Sequence, residues 1–328
     1  MKKSLVAALV AIGLVSVPVQ AVEIVITSEI PLTTNPSPYI VQFLEEIEAR
    51  TSGAVTGKYF AASQLYNDRD ALAALGTGAV HMVWPVASRL ELFDKRTGVL
   101  SLPFGLTEAQ MTNECFADGL AKEISGYLAP AGMSILGFLR TAELVFLMRD
   151  KDIQSVADLR RQKIRVVGGR VMLDAMRAVQ ASPISMAASE MSVALAQGAI
   201  DGAMTSPAGW VDVLGTSAKY GALFPGMSLA TSPVVVDKAW FDGLDEGHRD
   251  AISEVLDSII ERQWQETVAR DKELVEQMVA QGSQYRVVDP AEVERLREVF
   301  QQASAEYVSD NADAVAALER LNAVCLGN

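Results

Sequence analysis

Short unbroken apolar runs alternate along this chain with longer stretches in which apolar residues return every three or four positions. The first pattern predicts a buried strand, the second a helix with one face turned to a core. Ile24 to Thr27 begins the series as a strand. Ile40, Phe43, Leu44 and Ile47 then form the apolar face of a helix from about Ser37 to Arg50, ended by Thr51-Ser52-Gly53. Val55 to Phe60 is the next strand, and Asn67 caps a helix that stops at Gly76 or Gly78. Val80 to Val83 and Val99 to Leu102 are further strand-like runs bounded by turns. Thr107-Glu108-Ala109-Gln110 has the capping-box pattern, in which the two end side chains satisfy orphan backbone N–H groups. It predicts a helix toward Asp118, followed by a second that runs to about Ala131.

The middle repeats this alternation. Ser134 to Phe138, Val145 to Met148, Lys163 to Val167 and Ile200 to Ala203 predict strands. Val171 to Gln180 predicts a helix, Ser189 caps another that Gly198 closes, and Ser155-Val156-Ala157-Asp158 opens a short one. The last third has a different period. From about Glu246 to Gln281 no Pro intervenes, and Ile252, Val255, Leu256 and Ile259 make one stripe, with Val268, Val275 and Met278 further on. A helix of ~30 residues is ~45 Å long. That exceeds the width of a small domain, so the helix is expected to run along two of them. Pro290 opens a further helix toward Asp310. The chain carries no internal repeat or Gly/Ser linker. An α/β protein of two lobes, joined by crossing strands and a spanning helix, follows.

The ends and the charge add a compartment. Lys2 and Lys3 precede an apolar run from Leu5 to Val17, and Val19-Gln20-Ala21 places small residues where a signal peptidase reads. The run is shorter than the ~20 residues that cross a bilayer, so residues 1–21 are expected to be a signal peptide cleaved after Ala21. No Cys follows that would carry a lipid anchor. The chain holds 28 Lys and Arg against 41 Asp and Glu, and loss of the signal removes two Lys and no acid. This acidic balance argues against nucleic acid or anionic lipid as partner, and an anionic ligand must be drawn by a local Arg or Lys. Cys115 and Cys325 are the only cysteines. Export permits a disulfide between them, tying the C-terminal tail to the first lobe, and two buried free thiols are the alternative. With His81 and His248 the only histidines, no metal site and no cofactor is expected.

No enzyme motif stands out. There is no G-x-S-x-G elbow, no H-E-x-x-H and no phosphate-binding Gly loop. Gly168-Gly169 follows a strand, but with the wrong spacing for a phosphate loop. Other segments carry a signal together. Asp158-Leu159-Arg160-Arg161-Gln162-Lys163-Ile164-Arg165 resembles the D-L-x-G-x-K-I-R motif of the periplasmic solute-binding proteins of tripartite ATP-independent periplasmic (TRAP) transporters. Ala181 to Glu190 is similar to that family's A-x-P-x-x-M-x-x-x-E, and Ala194 to Gly202 to its A-L-Q-x-G-x-x-D-G. Gln64-Leu65 and Leu102-Pro103-Phe104 stand where the family has Q-L and L-P-F. Each motif alone is weak, and five in order cover essentially the whole exported chain.

The resemblance implies a two-lobe periplasmic binding protein fold that closes around an organic acid, with no catalytic step, and delivers it to integral-membrane TRAP subunits. A receptor for an ABC importer or a sensor shares this plan, and a periplasmic hydrolase would need a nucleophile and base that the sequence does not single out. The family's carboxylate-binding Arg falls on Arg165, whose planar, permanently charged fork matches both oxygens of a carboxylate. Arg140 is a second candidate contact, or else a hinge ion pair, and Arg170 is expected to face solvent. Thr205 and Ser206 stand where relatives have Asn and Pro, and their hydroxyls can still reach a ligand. Ala188 replaces a Phe that covers the ligand in relatives, so Trp84 or Trp210 is expected to supply the wall. Lobe I is expected over 22–140 with about 231–265. Lobe II is expected over 141–230 with about 266–328, and the receptor is expected to be a monomer.

Overall fold

The computed structural model describes residues 21–327, so the expected signal peptide lies outside the described residues. The first part of the chain forms strand β1 (Val22–Thr27), helix α1 (Ser37–Arg50), β2 (Val55–Phe60), α2 (Asp68–Ala74) and β3 (Met82–Val83). It continues through α3 (Glu108–Met111) and α4 (Glu114–Leu128) to β4 (Met133–Glu143). The middle follows as β5 (Val145–Met148), β6 (Lys163–Val166), α5 (Arg170–Ala178), β7 (Ser182–Ser185), α6 (Met191–Ala196), β8 (Gly202–Thr205), α7 (Pro207–Gly209) and β9 (Tyr220–Leu223). The chain then returns through β10 (Leu229–Asp237), α8 (Lys238–Asp242) and α9 (Glu246–Ala280), and ends in β11 (Gln284–Val287), α10 (Pro290–Asp310) and α11 (Ala312–Cys325).

Two sheets result, in the orders β2-β1-β3-β10-β4 and β11-β9-β5-β8-β6-β7. Both are covered on two faces, as solid apolar strands require. In the first, Val234 and Val236 of β10 face a core made with Phe43 of α1 and Leu256 of α9, while Val235 faces α4 through Phe116 and Ile124. In the second, Phe146 and Met148 of β5 pack with Met172 of α5 and Phe300 of α10, and Val145 and Leu147 pack with Leu195 and Trp210. This period-2 division explains why β5 reads Val-Phe-Leu-Met without a polar break.

The lobes are joined where β4 runs into β5 and β10 returns beside them. At that crossing Leu144 N donates to Ser228 O at 2.9 Å. The α9 helix, 35 residues long, is the third link. Its Ile252, Val255 and Leu256 belong to the first lobe's core and its Met278 to the second's. Asp245 caps it by accepting from His248 N at 2.9 Å. No helix among the described residues is long and apolar enough to cross a membrane.

Several expectations change. Val99 to Leu102 is not a strand: Lys95–Ser101 forms a 3-10 turn whose cap, Asp94, accepts from Arg96 N at 2.9 Å. Val99 and Leu100 are buried without joining a sheet, and a short apolar run reads alike in both cases. The capping box at Thr107 opens only α3, because Asn113 starts a fresh helix by accepting from Phe116 N. Ser189 is not a cap. Ala187 N donates to the Glu190 carboxylate at 2.9 Å in a 3-10 turn, and α6 follows. The final helix leaves the second lobe: Ala314 and Leu318 of α11 pack in the core built around α4.

Cys115 of α4 and Cys325 of α11 form a disulfide, with Cα atoms 5.6 Å apart across a sequence separation of 210. A bridge closing so long a loop typically contributes about 2–4 kcal/mol. Cys325→Ser is therefore expected to lower the urea midpoint by that equivalent. Intact mass after alkylation of the unreduced, denatured protein should show no modified thiol, and two modified thiols would refute the bridge.

Candidate functional site

Arg165 is the third residue of β6, an inner strand paired with β7 and β8. Its neighbours Ile164 and Val166 point into the second lobe's core, so alternation turns Arg165 to the other face. The side chain is almost wholly enclosed, the residue being 2% exposed. Nε donates to Met186 O at 3.1 Å and Nη1 to Met204 O at 3.4 Å. Among the described residues it forms no ion pair. Burial pushes its pKa down to about 10, with Glu29 opposing and Arg89 reinforcing the shift, so the guanidinium is still charged at neutral pH. A desolvated charge held only by carbonyl dipoles is costly, by several kcal/mol on general grounds. The group most suited to relieve that cost is a carboxylate.

The groups that act on Arg165 come from the first lobe. Arg89 lies on a 3-10 turn, Ala87–Leu92, after β3. Its Nη2 donates to Glu29 Oε1 at 3.3 Å, and its Nε is buried without a hydrogen-bond partner among the described residues. Glu29, 2% exposed, follows β1, and its backbone N donates to Asp68 Oδ1 at 2.8 Å. Asp68 also accepts from Val86 N. Arg89 reaches across to the second lobe, since a Cβ at Gly168 would lie 3.3 Å from its Nη1. Two guanidinium groups, one from each lobe, thus share one crevice with Glu29.

Beside them a cavity of about 40 Å³ is bounded by Val86 and Ser88 from the first lobe, Val167, Gly168 and Met204 from the second, and Thr231 on β10. Ser88 Oγ and Thr231 Oγ1 are buried without hydrogen-bond partners among the described residues. Thr205 ends β8, next to the Met204 carbonyl that holds Arg165. Ser206 Oγ accepts from Gly209 N at 2.9 Å and so caps α7. Among the described residues no group of three or more His, Cys, Asp or Glu is placed to hold a metal ion.

The other expected site residues lie elsewhere. Arg140, on β4, is as deeply buried as Arg165, yet Nε donates to Glu108 at 2.8 Å and Nη1 to Asp271 at 2.6 Å. Its charge is already met at the hinge. Trp210 fills the second lobe's core and donates to Ala218 O at 2.9 Å. Trp84 fills the first lobe's core against Phe43, its Nε1 buried without a hydrogen-bond partner. Trp84 lies in a different core from Ala188, whereas Ala188 packs against the cluster that contains the fully buried Trp210. Arg170 is exposed and pairs with Asp174 and Glu306. Glu29, Asp68 and Arg89 escaped the sequence reading. Glu29 stands two residues past β1, but Asp68 opens α2 and Arg89 lies in the turn Ala87–Leu92, and neither position carries a local sequence signal.

Comparison with known proteins places this geometry in a family. The model of the bacterial extracellular solute-binding proteins, family 7 (DctP), matches residues 30–311. The C4-dicarboxylate-binding periplasmic protein DctP of Vibrio cholerae is 25% identical over 286 residues, 83% of this chain and 84% of that protein. An uncharacterised Salmonella typhimurium protein, YiiZ, is 27% identical over 160 residues, and that match spans only 49% of its length. A TRAP periplasmic solute-binding protein from Sulfitobacter with bound β-D-galacturonate superimposes with a TM-score of 0.83 at 19% identity, over 90% of this chain and 98% of that one. One from Shewanella oneidensis with bound succinate gives 0.83 at 24%, over 92% and 99%. DctP7 of Bordetella pertussis, which binds pyroglutamic acid, gives 0.82 at 21%, over 91% and 100%.

The acids of the crevice predict a pH dependence. Burial raises the Asp68 pKa, and the adjacent Glu29 charge adds to the rise. A carboxyl raised in the fold binds more protons folded than unfolded. Its contribution to stability is complete below the ordinary value of 3.8 and is lost as pH climbs through the raised value. Urea midpoints taken from roughly pH 5 to 8.5 should therefore fall more steeply in wild type than in Asp68→Asn, whose amide does not titrate. Equal slopes would refute the assignment.

Proposed function

The chain belongs to the bacterial extracellular solute-binding proteins of family 7, the receptors of TRAP transporters, and on that premise we propose that it captures a small carboxylate-bearing molecule in the periplasm. Capture occurs between the lobes, without chemical change, and the receptor then delivers the molecule to the integral-membrane subunits of a TRAP importer. The observation that carries this reading is Arg165: an enclosed guanidinium with no carboxylate of its own. Arg89 adds a second positive group from the opposite lobe, and Thr205, Ser88 and Thr231 add hydroxyls. The bound molecules named for similar structures, galacturonate, succinate and pyroglutamic acid, differ in skeleton but share a carboxylate.

Lobe motion follows from size. A cavity of about 40 Å³ holds a few waters and no organic acid. Entry requires the lobes to part at the two crossing strands, and closure around the acid then excludes water from the Arg165 contact, which strengthens it.

A thermal-shift series with D-galacturonate, D-glucuronate, succinate and pyroglutamate identifies the class, since a ligand at 100 times its dissociation constant stabilises by ~2.7 kcal/mol. Losing one partner of a desolvated charge pair costs about 2–5 kcal/mol. Arg165→Ala should therefore weaken binding of the stabilising acid by roughly thirty-fold to several thousand-fold. Arg165→Lys keeps the charge without the fork and should fall between the two. Arg177→Ala, an exposed α5 residue, is the control. A folded Arg165→Ala that binds as tightly as wild type in calorimetry sinks the assignment. Small-angle scattering should show a smaller radius of gyration with that acid than without, and superimposable curves would count against closure.

A further inference from the structure

Glu91 belongs to the first lobe by its backbone and to the second by its carboxylate. It lies on the turn Ala87–Leu92, whose Ala87 and Leu90 are packed in the first lobe's core. Its Oε2 accepts a hydrogen bond from Arg170 N, the first residue of α5, at 2.7 Å, and the Val171 N–H also favours the ionised carboxylate. The α5 helix is fixed in the second lobe by Met172, Ala175 and Met176. A carboxylate at the first turn of a helix meets free N–H groups and the positive end of the helix dipole. Here the cap comes from the other lobe.

Gly169 makes the approach possible. Its φ is +84°, and a Cβ there would meet Glu91 Oε1 at 2.5 Å and Ser88 Cβ at 3.2 Å. The Gly168-Gly169 pair, which matched no phosphate loop, thus has a physical role at the lobe junction. A second bond spans the same junction, from Thr34 Oγ1 to Asp212 Oδ2 at 2.7 Å. We propose that Glu91 is a closure latch: when the lobes meet, its carboxyl group docks on the N-terminus of α5 as an acceptor for Arg170 N and holds the closed receptor.

The latch carries a proton linkage. Burial pushes Glu91 up to about 7, with Asp174 adding to the rise and the two N–H groups and Arg170 opposing it. Besides Arg170 and Asp174 on α5, the charged and titratable groups around it are Lys95 on the next turn and Glu306, Tyr307 and Asp310 on α10. Opening exposes the carboxyl and returns it toward its ordinary 4.5, so closing takes up a proton. The closed state is favoured as pH falls through 7 and weakened above it. Glu91→Gln keeps an acceptor for Arg170 N but cannot titrate, whereas Glu91→Ala removes the cap.

The test needs no ligand. Followed by NMR from roughly pH 5.5 to 8.5, the backbone amides of Arg170 and Val171 should titrate with a midpoint near 7 in wild type and stay flat in Glu91→Gln. Small-angle scattering below neutral pH should give Glu91→Ala a larger radius of gyration than wild type and Glu91→Gln the wild-type value. Gly169→Ala, a wedge with Glu91 intact, should also be larger. Circular dichroism establishes that each variant is folded. A flat amide titration in wild type, or a wild-type radius in both Glu91→Ala and Gly169→Ala, overturns the latch. The inference rests on the reading that the lobes move, so wild type is also measured with succinate or D-galacturonate, whichever raises the melting temperature. A radius unchanged by that acid fails the closure reading itself. A radius that shrinks with the acid, with Glu91→Ala shrinking as far and binding the acid as tightly as wild type, fails the latch alone.

Discussion

Much of this structure follows from one enclosed guanidinium. Placing Arg165 on an inner strand removes it from water, and the surrounding fold supplies two carbonyls instead of a counter-ion. Such a site is tolerable only if few residues must be strained to hold it. The second sheet meets that condition by keeping Ile164 and Val166 in a continuous apolar core while turning Arg165, between them, to the opposite face. The electrostatic deficit left at Arg165 is then local and directional, which is what recognition of an anion by an acidic protein requires.

The division into lobes extends that logic. Glu29 and Arg89, which shift the Arg165 pKa in opposite directions, both arrive from the first lobe. The potential at the guanidinium therefore depends on how closely the lobes approach, and on the proposed reading the motion that encloses a ligand also alters the charge that attracts it. Two strands, the middle of α9 and the step from α10 to α11 cross between the bodies, and each body keeps its own core. The Arg140 contacts to Glu108 and Asp271 tie one crossing strand to α3 and α9 and stiffen the pivot.

Local patterns were legible wherever sequence neighbours decide the outcome. The α1 and α10 helices have the boundaries that their apolar stripe, prolines and breakers predict, and α9 is long because no breaker interrupts it. The β7 and β10 strands were missed for a physical reason. Each contains a proline, which argues against a strand interior, and the chain accommodates Pro183 on an edge strand and Pro233 beside a register shift in β10. Arg165 was legible through its motif. Glu29, Asp68 and Arg89 were not, because only the parallel pairing of β1 with both β2 and β3 brings the segments that follow these strands to one end of the sheet.

Arg140 and Arg165 mark the limit of residue type as a guide. Both are arginines on strands that run through or beside the lobe junction, at 3% and 2% exposure, and both look alike in a hydropathy profile. What separates them is the placement of acids far away in sequence. Asp271 stands on α9, a helix laid along both lobes, and Glu108 sits in the first turn of α3. Together they neutralise Arg140 and make it a structural pivot. No described acid pairs directly with Arg165, since Glu29 is held by Arg89 and Glu190 by the Ala187 N–H. A buried positive charge is left available to bind an anion when its surroundings withhold the counter-charge, and that withholding is a property of the whole topology.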